Sequence, residues 1–495
     1  MKIEELLDKK EAREVQLLKK AILSGGTVSE EILISYLGIS KASLESDISE
    51  LGYYLKPYEK DCRLFYDGRQ VKVDFTDHFS ISTVIGDYLQ SSLKFQLINY
   101  LFQYREFTIV QLTTKFMISE SSLFRKIKEL NQLLKEFDIQ IRNGRLKGEE
   151  LQIRYFYFQI YWFLTPYEQH QKLTLTAQNF RIIEALEKAL AMNFTENSKL
   201  KISLWLTISK KRIPVNDKKH ELLRRKMLEY EQDPLYQSLR SFVIRFFSRY
   251  PIDIDENESQ LHFVFLTSMF VLSEEDFADY GMMRGRRSPT SLADTFLLER
   301  VILYYRPQKF IPALEKKIFY YFSQIHNRLY FFTGELELFE QDNIWEKEEK
   351  LSGHHLLEFS HELLKQSLSF FGEAYQQGNS LHEWSLIKYL SVLAVIDFEM
   401  MVELQIGIDL KMDPLYRDVM TQVLMLSLKN INGVTVEGYK ENKRYDLVIT
   451  NSFGENSHLA EHSVYVLSEL GSAYDISQIK KKIRSLYEKQ NKSGT

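Results

Sequence analysis

Two stretches near the amino end of the chain repeat one another, and this repeat limits the folds available to the first third of the sequence. Residues 37–55 align with residues 116–134 at an offset of 79, and eight of the 19 aligned positions are identical. Both stretches contain Ile-Ser-x-x-Ser-Leu, followed by apolar residues three and four positions apart. Each stretch therefore predicts a helix that begins just after the first serine of the motif, because a serine hydroxyl can accept from a free amide of the first turn.

A shorter helix is predicted before each copy, with a tight turn between the two helices. These preceding helices cover residues 29–37 and 110–116, and longer helices are predicted further upstream at residues 10–23 and 81–103. Two helices joined by a short turn, the second of them capped, form a helix-turn-helix. The repeat therefore predicts two helix-turn-helix units.

A hairpin pattern follows each copy. Asp67-Gly68 separates two alternating runs after the first copy, and Asn143-Gly144 separates two runs after the second. Both dipeptides favour the tight turns that join antiparallel strands. The sequence thus predicts two winged helices in tandem, and the alternative is a duplicated helical hairpin with no nucleic-acid function. The predicted strands are residues 62–66 and 70–75, then residues 139–142 and 151–155.

The middle of the chain is predicted to be helical. Gly (20) and Pro (9) are scarce among 495 residues, and helical apolar faces, such as those at residues 180–192 and 356–371, continue to about residue 403. Residues 281–289, which contain Gly, Pro and three Arg, are predicted to join two helical bundles.

The last part of the chain changes character. An apolar segment at residues 419–428 is followed by strand patterns at 445–450 and 463–467 and by a basic amphipathic helix at 476–487. Such alternation predicts a small α/β domain. The predicted fold class is therefore mostly α and multidomain. Its predicted boundaries are 1–76 and 77–160 for the winged helices, 161–283 and 284–403 for the bundles, and 404–495 for the α/β domain.

Composition excludes several classes of protein. The single cysteine, Cys62, excludes an internal disulfide framework and a Cys-rich zinc site. The first residues lack the apolar core of a signal peptide, and no apolar stretch approaches the ~20 residues of a membrane span. A cytoplasmic protein without a membrane partner is therefore expected. The formal net charge of −4 does not by itself indicate nucleic acid.

No motif of a known catalytic site is present in the sequence. The pairs His220-Glu221, His361-Glu362 and His382-Glu383 lack the second histidine four residues after the first, which a zinc-protease helix requires. Phosphate-binding loops, dinucleotide fingerprints and nucleophile elbows are also missing. The protein is therefore expected not to be an enzyme and to need neither a metal nor a cofactor.

In its order of domains the chain resembles the Mga/AtxA family of virulence regulators. The resemblance rests on the tandem Ile-Ser-x-x-Ser-Leu modules, above all residues 110–134, on the two bundles, and on the tail segment Tyr445-Asp-Leu-Val-Ile-Thr450. It implies two phosphotransferase-system regulation domains (PRDs) in the middle and an enzyme-IIB-like domain at the end. It also implies a DNA-binding transcriptional regulator that works as a homodimer or larger oligomer.

Local charge favours the second winged helix as the main reader of double-stranded DNA. Residues 119–147 carry seven basic and four acidic side chains, whereas residues 40–72 carry six of each. In the first copy Glu45 and Asp47 are expected to face phosphates and weaken binding, and Lys41, Ser43 and Ser46 are secondary candidates. The principal DNA-binding candidates are Ser119, Ser121, Ser122, Arg125, Lys126 and Lys128 on the helix, with Arg142 and Arg145 on the wing.

The resemblance also implies phosphorylation of PRD histidines, with HPr or another phosphotransferase-system protein as donor. This chemistry needs an exposed, neutral imidazole at the moment of attack. His326 is the candidate in the second PRD, with Arg328 beside it as a phosphate partner. His262 and His220 are candidates in the first PRD, although a histidine that is merely packed or solvated is the simpler interpretation of each of the three.

Two further expectations concern the tail and the alternative functions. True IIB enzymes carry the phosphoryl group on a Cys or His after their first strand, and residues 428–433 contain neither. The tail is therefore expected to be catalytically silent and to serve regulation or oligomerisation. The alternatives to a DNA-binding regulator are a PRD-type RNA antiterminator and a non-catalytic regulatory scaffold, although two winged helices favour duplex DNA over RNA.

Overall fold

Helices dominate the described residues, which also form three small sheets, and this confirms the predicted mostly-α class. Among the described residues, no helix combines the length and the hydropathy that crossing a membrane requires. The computed structural model describes residues 1–164, 176–247, 256–285, 287–305, 312–336, 354–400, 403–429, 431, 433–452, 463–469 and 471–493.

The first winged helix is built as its sequence pattern predicts. Ser40 caps the second helix of the helix-turn-helix, since its hydroxyl accepts a hydrogen bond from the Ser43 amide (3.3 Å). The apolar stripe that begins at Leu44 is buried. The hairpin adds a third, short strand to form a sheet of order β1-β3-β2. Its elements are α1 (Lys9–Leu23), β1 (Thr27–Ser29), α2 (Glu30–Leu37), α3 (Lys41–Tyr54), β2 (Cys62–Tyr66) and β3 (Gln70–Phe75).

The second winged helix repeats this plan with a smaller wing. Ser119 caps the second helix by accepting from the Ser122 amide (3.2 Å). The single long helix predicted over residues 81–103 is interrupted at Ser92, whose backbone is extended (φ −64°, ψ 126°). Its elements are α4 (Ile81–Ser91), α5 (Leu93–Tyr104), α6 (Ile109–Phe116), α7 (Glu120–Leu134), β4 (Gln140–Arg142) and β5 (Arg145–Lys147).

The predicted second strand of this wing, residues 151–155, was wrong. The tight turn pairs Arg142 directly with Arg145, so β5 ends at Lys147. Residues 151–155 belong instead to α8 (Glu150–Leu164), in which residues 150–160 are buried on every side. A helix that is buried on every side does not show the apolar periodicity of a helix with one buried face. The alternation of polar and apolar residues at 151–155 therefore resembled the pattern of a strand.

Helices continue through the middle of the chain. The segments predicted at 180–192 and 356–371 are helices, shifted by one to three residues at their ends. The predicted break at 281–289 is narrower, because Gly281 lies inside a helix. These helices are α9 (Ala177–Leu190), α10 (Glu196–Arg212), α11 (Glu221–Met227), α12 (Pro234–Phe247), α13 (Asn257–Ser268), α14 (Glu274–Met283), α15 (Pro289–Tyr305), α16 (Pro312–Phe331), α17 (His354–Phe370) and α18 (Ser380–Glu399).

The tail is an α/β unit around a parallel sheet of order β7-β6-β8-β9. Its first strand is residues 404–409, a strand that the sequence patterns did not identify, and the apolar residues 419–428 belong to a helix. The loop after the first strand is therefore 410–413, Leu-Lys-Met-Asp, rather than 428–433. The elements are β6 (Leu404–Asp409), α19 (Pro414–Leu428), β7 (Val434–Gly438), β8 (Leu447–Thr450), β9 (Val464–Val466) and α20 (Ala473–Ser493).

The chain forms two compact units that do not follow a linear division. One unit comprises Met1–Asp294, Tyr320–Trp345 and Leu364–Ile387, and the other comprises the remaining segments and the tail. The division passes within α16, α17 and α18, and it separates Asp294 from Thr295 inside α15. The PRD and IIB-like assignments and the five boundaries drawn from the sequence therefore stay predictions.

Candidate nucleic-acid interface

Helix α7 presents a polar, cationic face away from its core. Leu123, Leu130 and Leu134 are buried on one side. The exposed residues Ser121, Phe124, Arg125 and Lys128 follow one another at steps of three, one and three, so they share the opposite side. In the part of the chain that the structure describes, no carboxylate is paired with Arg125 or Lys128, whose charges therefore face solvent.

The three serines at the start of α7 play different parts. Ser119 serves as the helix cap, and Ser122, which donates its amide to that cap, is only partly exposed. Ser121 is exposed, and its hydroxyl lies 3.0 Å from the Ser119 hydroxyl. Of the three, Ser121 is therefore the one whose side chain the structure presents outward.

The wing brings two arginines to its tip. Arg142 and Arg145 are paired across the hairpin, and both are exposed. Arg145 forms an ion pair with Glu106, whereas no described carboxylate is paired with Arg142. The turn between them needs glycine: Gly144 has φ +70°, and a Cβ there would collide with the carbonyl oxygen of Phe107.

Lys126 lies beside the exposed face of α7 rather than on it, and its role as a DNA contact stays a prediction. Its side chain is only 15% exposed and forms ion pairs with Asp8 and with Glu129 (3.3 Å). Burial alone would lower the pKa of Lys126, but the hydrogen bond and charge of Asp8 raise it above its ordinary value. The ammonium group is therefore charged, and its charge is already compensated inside the protein.

In the first copy the equivalent surface is less cationic, and of the two acidic residues expected to face outward only Glu45 is exposed. Asp47 does not face outward: it is buried and accepts two hydrogen bonds from Arg13 (2.7 and 2.9 Å). Lys41, exposed as expected, pairs with Glu30 (3.0 Å) and approaches Glu45 (4.0 Å). Ser46 is exposed, whereas Ser43 is partly covered and its hydroxyl lies 3.0 Å from that of Ser40.

The sequence patterns missed two exposed apolar residues of the second helix-turn-helix. Phe124 is 54% exposed on α7, and Met117, in the turn before it, is 92% exposed. Met117 also has a left-handed backbone (φ 52°), where the first copy has Gly38 (φ 63°). The repeat alignment contained the signal, because position 124 lies outside the buried stripe and corresponds to Glu45 in the first copy.

All three candidate phosphorylation histidines are buried, so in this conformation none of them presents the exposed imidazole that the phosphotransfer chemistry needs; their phosphorylation stays a prediction. The exposed fractions of His326, His262 and His220 are 0%, 9% and 5%. Nδ1 of His326 contacts Asp294, which also contacts Arg284. Arg328, the expected phosphate partner, instead forms an ion pair with Glu335 (2.7 Å).

His262 belongs to the core of its bundle. Trp205 Nε1–H donates a hydrogen bond to its Nδ1 (3.1 Å). Burial lowers the pKa of His262 to about 4, so the imidazole is neutral at physiological pH. The simpler interpretation of its position between Leu261 and Phe263, a packed histidine, is therefore the one that the structure supports.

Buried charges anchor the second winged helix to the helical part of the same unit. Arg154 on α8 pairs with Glu150 (2.9 Å) and Glu258 (2.6 Å), and Glu150 also pairs with Arg212 (2.7 Å). The side chains of Arg154 and Glu150 have no solvent exposure. Since α8 follows the wing directly, this network, which we call the α8 charge network, fixes the module to α10 and α13.

The described residues contain no group of three or more His, Cys, Asp or Glu side chains arranged to hold a metal ion. Cys62 is buried, and burial raises the pKa of its thiol to about 11.

The chain is similar to one protein family and to several regulators. Residues 77–161 match the family model of the Mga helix-turn-helix domain. The chain is 23% identical over 294 residues to a protein of Streptococcus pneumoniae serotype 4 described as a trans-acting regulator, a match that covers 55% of this chain and 56% of that relative.

Two relatives from Bacillus anthracis are described as capsule synthesis positive regulators. AcpA is 27% identical over 156 residues, covering 30% of this chain and 31% of the relative. AcpB is 27% identical over 133 residues, covering 25% of this chain and 26% of the relative. The chain thus spans about half or less of the length of these relatives.

Proposed function

Since this chain carries an Mga helix-turn-helix domain and belongs with the Mga- and AtxA-like regulators, we propose that it is a transcriptional regulator that binds double-stranded DNA through its second winged helix. In this proposal α7 enters the major groove and the β4–β5 wing contacts the neighbouring backbone. The relatives' descriptions as regulators support the role, and binding itself needs no catalytic step.

One observation carries the proposal. Arg125 and Lys128 on α7 and Arg142 on the wing are exposed, and no described carboxylate neutralises them. Uncompensated cations on a helix and its adjacent wing attract phosphates, and Arg125 can also read a guanine edge. The second helix of the first winged helix lacks this arrangement, because Ser46 and Ser49 stand where Arg125 and Lys128 stand and Lys41 is paired.

The test is a double substitution, Arg125→Ala with Lys128→Ala. Duplex affinity at a fixed salt concentration is expected to fall at least about tenfold. The slope of log affinity against log salt is expected to decrease by about 1.8, because two phosphate contacts disappear. A gel shift with duplex DNA and hairpin RNA at two salt concentrations measures both quantities and compares the two nucleic acids.

A matched control removes the same charge elsewhere. Arg181 and Lys188 are both exposed on α9, so Arg181→Ala with Lys188→Ala changes the net charge equally without touching α7 or the wing. This control is expected to keep wild-type affinity and salt slope. Equal losses in both double variants, or stronger binding of the wild type to hairpin RNA than to duplex, would contradict the proposal.

The proposed function also includes an oligomeric state and regulation by phosphorylation. We include a homodimer or larger oligomer, since a symmetric pair would place two α7 helices on half-sites about one helical turn apart. We also include phosphorylation of PRD histidines by HPr, under the condition that a bundle first opens. The burial of His326, His262 and His220 imposes this condition, because a phosphoryl donor must reach the ring nitrogen.

A further inference from the structure

An aromatic ring stands on the face of α7 that carries the cations. Phe124 is 54% exposed and lies three residues after Ser121 and four before Lys128, directly beside Arg125. Residues at these spacings are neighbours on a helix surface. The ring is therefore surrounded by hydrogen-bonding and charged side chains at the centre of the face that would enter a groove.

Position 124 is apolar only in the second copy of the repeat. The first copy has Glu45 there, exposed and near Lys41, so the fold does not require an apolar side chain at this place. Burial does not explain Phe124 either, because the core side of α7 is formed by Leu123, Leu130 and Leu134. An apolar ring on a recognition face is removed from water when it meets an apolar group of the ligand, and that contact is favourable.

The major groove offers one apolar group on its base edges, the C5 methyl of thymine. The sugar and phosphate surfaces that Arg125 and Lys128 attract are polar. A Phe side chain is among those that contact this methyl group in protein–DNA interfaces. The partner of the exposed ring on duplex DNA is therefore a thymine.

We propose that Phe124 is a base-reading residue that contacts a thymine methyl group in the major groove. This contact gives the second winged helix a preference for thymine at the base pair that the Phe124 ring touches. This inference rests on the proposed function, because it requires α7 to lie in a groove of duplex DNA. Met117, in the turn before α7, is a second exposed apolar residue of this helix-turn-helix.

The experiment compares an A·T-rich duplex with the same duplex in which deoxyuridine replaces thymidine. Deoxyuridine keeps every hydrogen-bonding group of thymidine and lacks only the methyl group. The wild-type protein is expected to bind the thymidine duplex about three- to fourfold more tightly for each methyl buried. Fluorescence anisotropy at one salt concentration measures the ratio of the two dissociation constants.

Three variants identify the residue responsible. Phe124→Ala is expected to bind both duplexes with the affinity that the wild type shows for the deoxyuridine duplex. Phe124→Leu keeps an apolar side chain and is expected to retain the preference. Phe180→Ala, which removes a 46% exposed phenylalanine from α9, is the matched control and is expected to behave as the wild type. Thermal melting checks that each variant is folded.

The outcomes separate this inference from the proposed function. If the wild type binds duplex DNA without distinguishing thymidine from deoxyuridine, the base-reading role of Phe124 is wrong and the proposed function stands. If Phe124→Ala keeps the thymidine preference, DNA shape or another residue causes that preference, so the base-reading role of Phe124 is wrong and the proposed function again stands. If the wild type binds no duplex at all, the proposed function fails and this inference fails with it.

Discussion

Lys126 and Lys128 carry the same charge on the same helix, two residues apart, in different surroundings. Lys128 is exposed without a described carboxylate partner, whereas Lys126 lies against Asp8 and Glu129 with 15% of its side chain exposed. A cation that is already paired releases fewer counterions from DNA, because approaching a phosphate would mean leaving its partner. The two lysines should therefore contribute unequally to DNA binding.

Single substitutions test this inequality. Lys128→Ala is expected to lower the slope of log affinity against log salt by about 0.9, the value for one lost phosphate contact. Lys126→Ala, which removes the same charge from the same helix, is expected to leave the slope unchanged. Duplex affinities measured from low to moderate salt give both slopes, and a larger decrease for Lys126→Ala than for Lys128→Ala would show that the Asp8 pair breaks on binding.

At the scale of residues, the sequence predicted well which side chains belong to α7 and the second wing. It predicted less well which of these side chains are exposed and unpaired. The periodicity of α7 correctly placed Arg125 and Lys128 outside the core. The pairing of Lys126 depends on Asp8, 118 positions earlier in the chain, and the pairing of Arg145 depends on Glu106. Contacts between segments so distant in sequence leave no local periodic signal.

At the scale of elements, the second wing is held against the loop before α6. The Phe107 amide donates to the Gly144 carbonyl (2.9 Å), and the Phe107 carbonyl lies where a side chain at position 144 would begin. The first wing closes over a longer loop, since Tyr66 pairs with Val71; Gly68 also has a left-handed backbone there (φ +86°), but nothing lies within 4 Å of its Cβ position. The two glycines are therefore needed for different reasons.

Replacing each glycine with alanine separates these reasons. Gly68→Ala is expected to cost about 1–2 kcal/mol, the strain of a left-handed backbone with a side chain. Gly144→Ala has the same strain and must also push the Phe107 backbone away, so its loss of stability is expected to be larger. Thermal melting of the full chain compares the two variants, and equal shifts in melting temperature would contradict the contact at Phe107.

The elements themselves were largely predictable where one face is buried and the other is solvated. The capped helices α3 and α7 and the hairpin β2–β3 have this property, and their predicted bounds agree with the structure within about two residues. The prediction failed at α8, whose first eleven residues are buried all round, and at β6, a short strand inside its sheet. Burial on every side removes the periodicity on which such predictions depend.

At the scale of the whole molecule, the histidines predicted to receive a phosphoryl group are part of the packed helices. His262 is neutral and buried, and His326 contacts Asp294 in the interior. Access to either ring therefore requires a collective opening of helices, which has its own free energy. In this conformation His78, near the start of the second winged helix, is in contrast exposed.

Chemical modification measures this accessibility directly. Diethylpyrocarbonate acylates neutral imidazoles, so the low pKa of His262 offers no protection by protonation at neutral pH. His78 is expected to react at least about tenfold faster than His326, His262 and His220, which corresponds to an opening free energy above about 1.4 kcal/mol. Mass spectrometry of digested protein gives the rate for each site. Reaction of His326 as fast as His78 would mean that the helices around it open readily in solution.

The connection between the second wing (β4–β5) and α8 is short and hydrogen-bonded. Only Gly148 and Glu149 separate the end of β5 from the start of α8, and the Glu150 amide donates to the Lys219 carbonyl (2.9 Å). The α8 charge network then locks the next turn of that helix to α10 and α13. Because this connection is short and α8 is held by buried ion pairs, a rotation of α8 would also change the orientation of the second wing. By the same coupling, a wing bound to its ligand would oppose movement of α10 and α13.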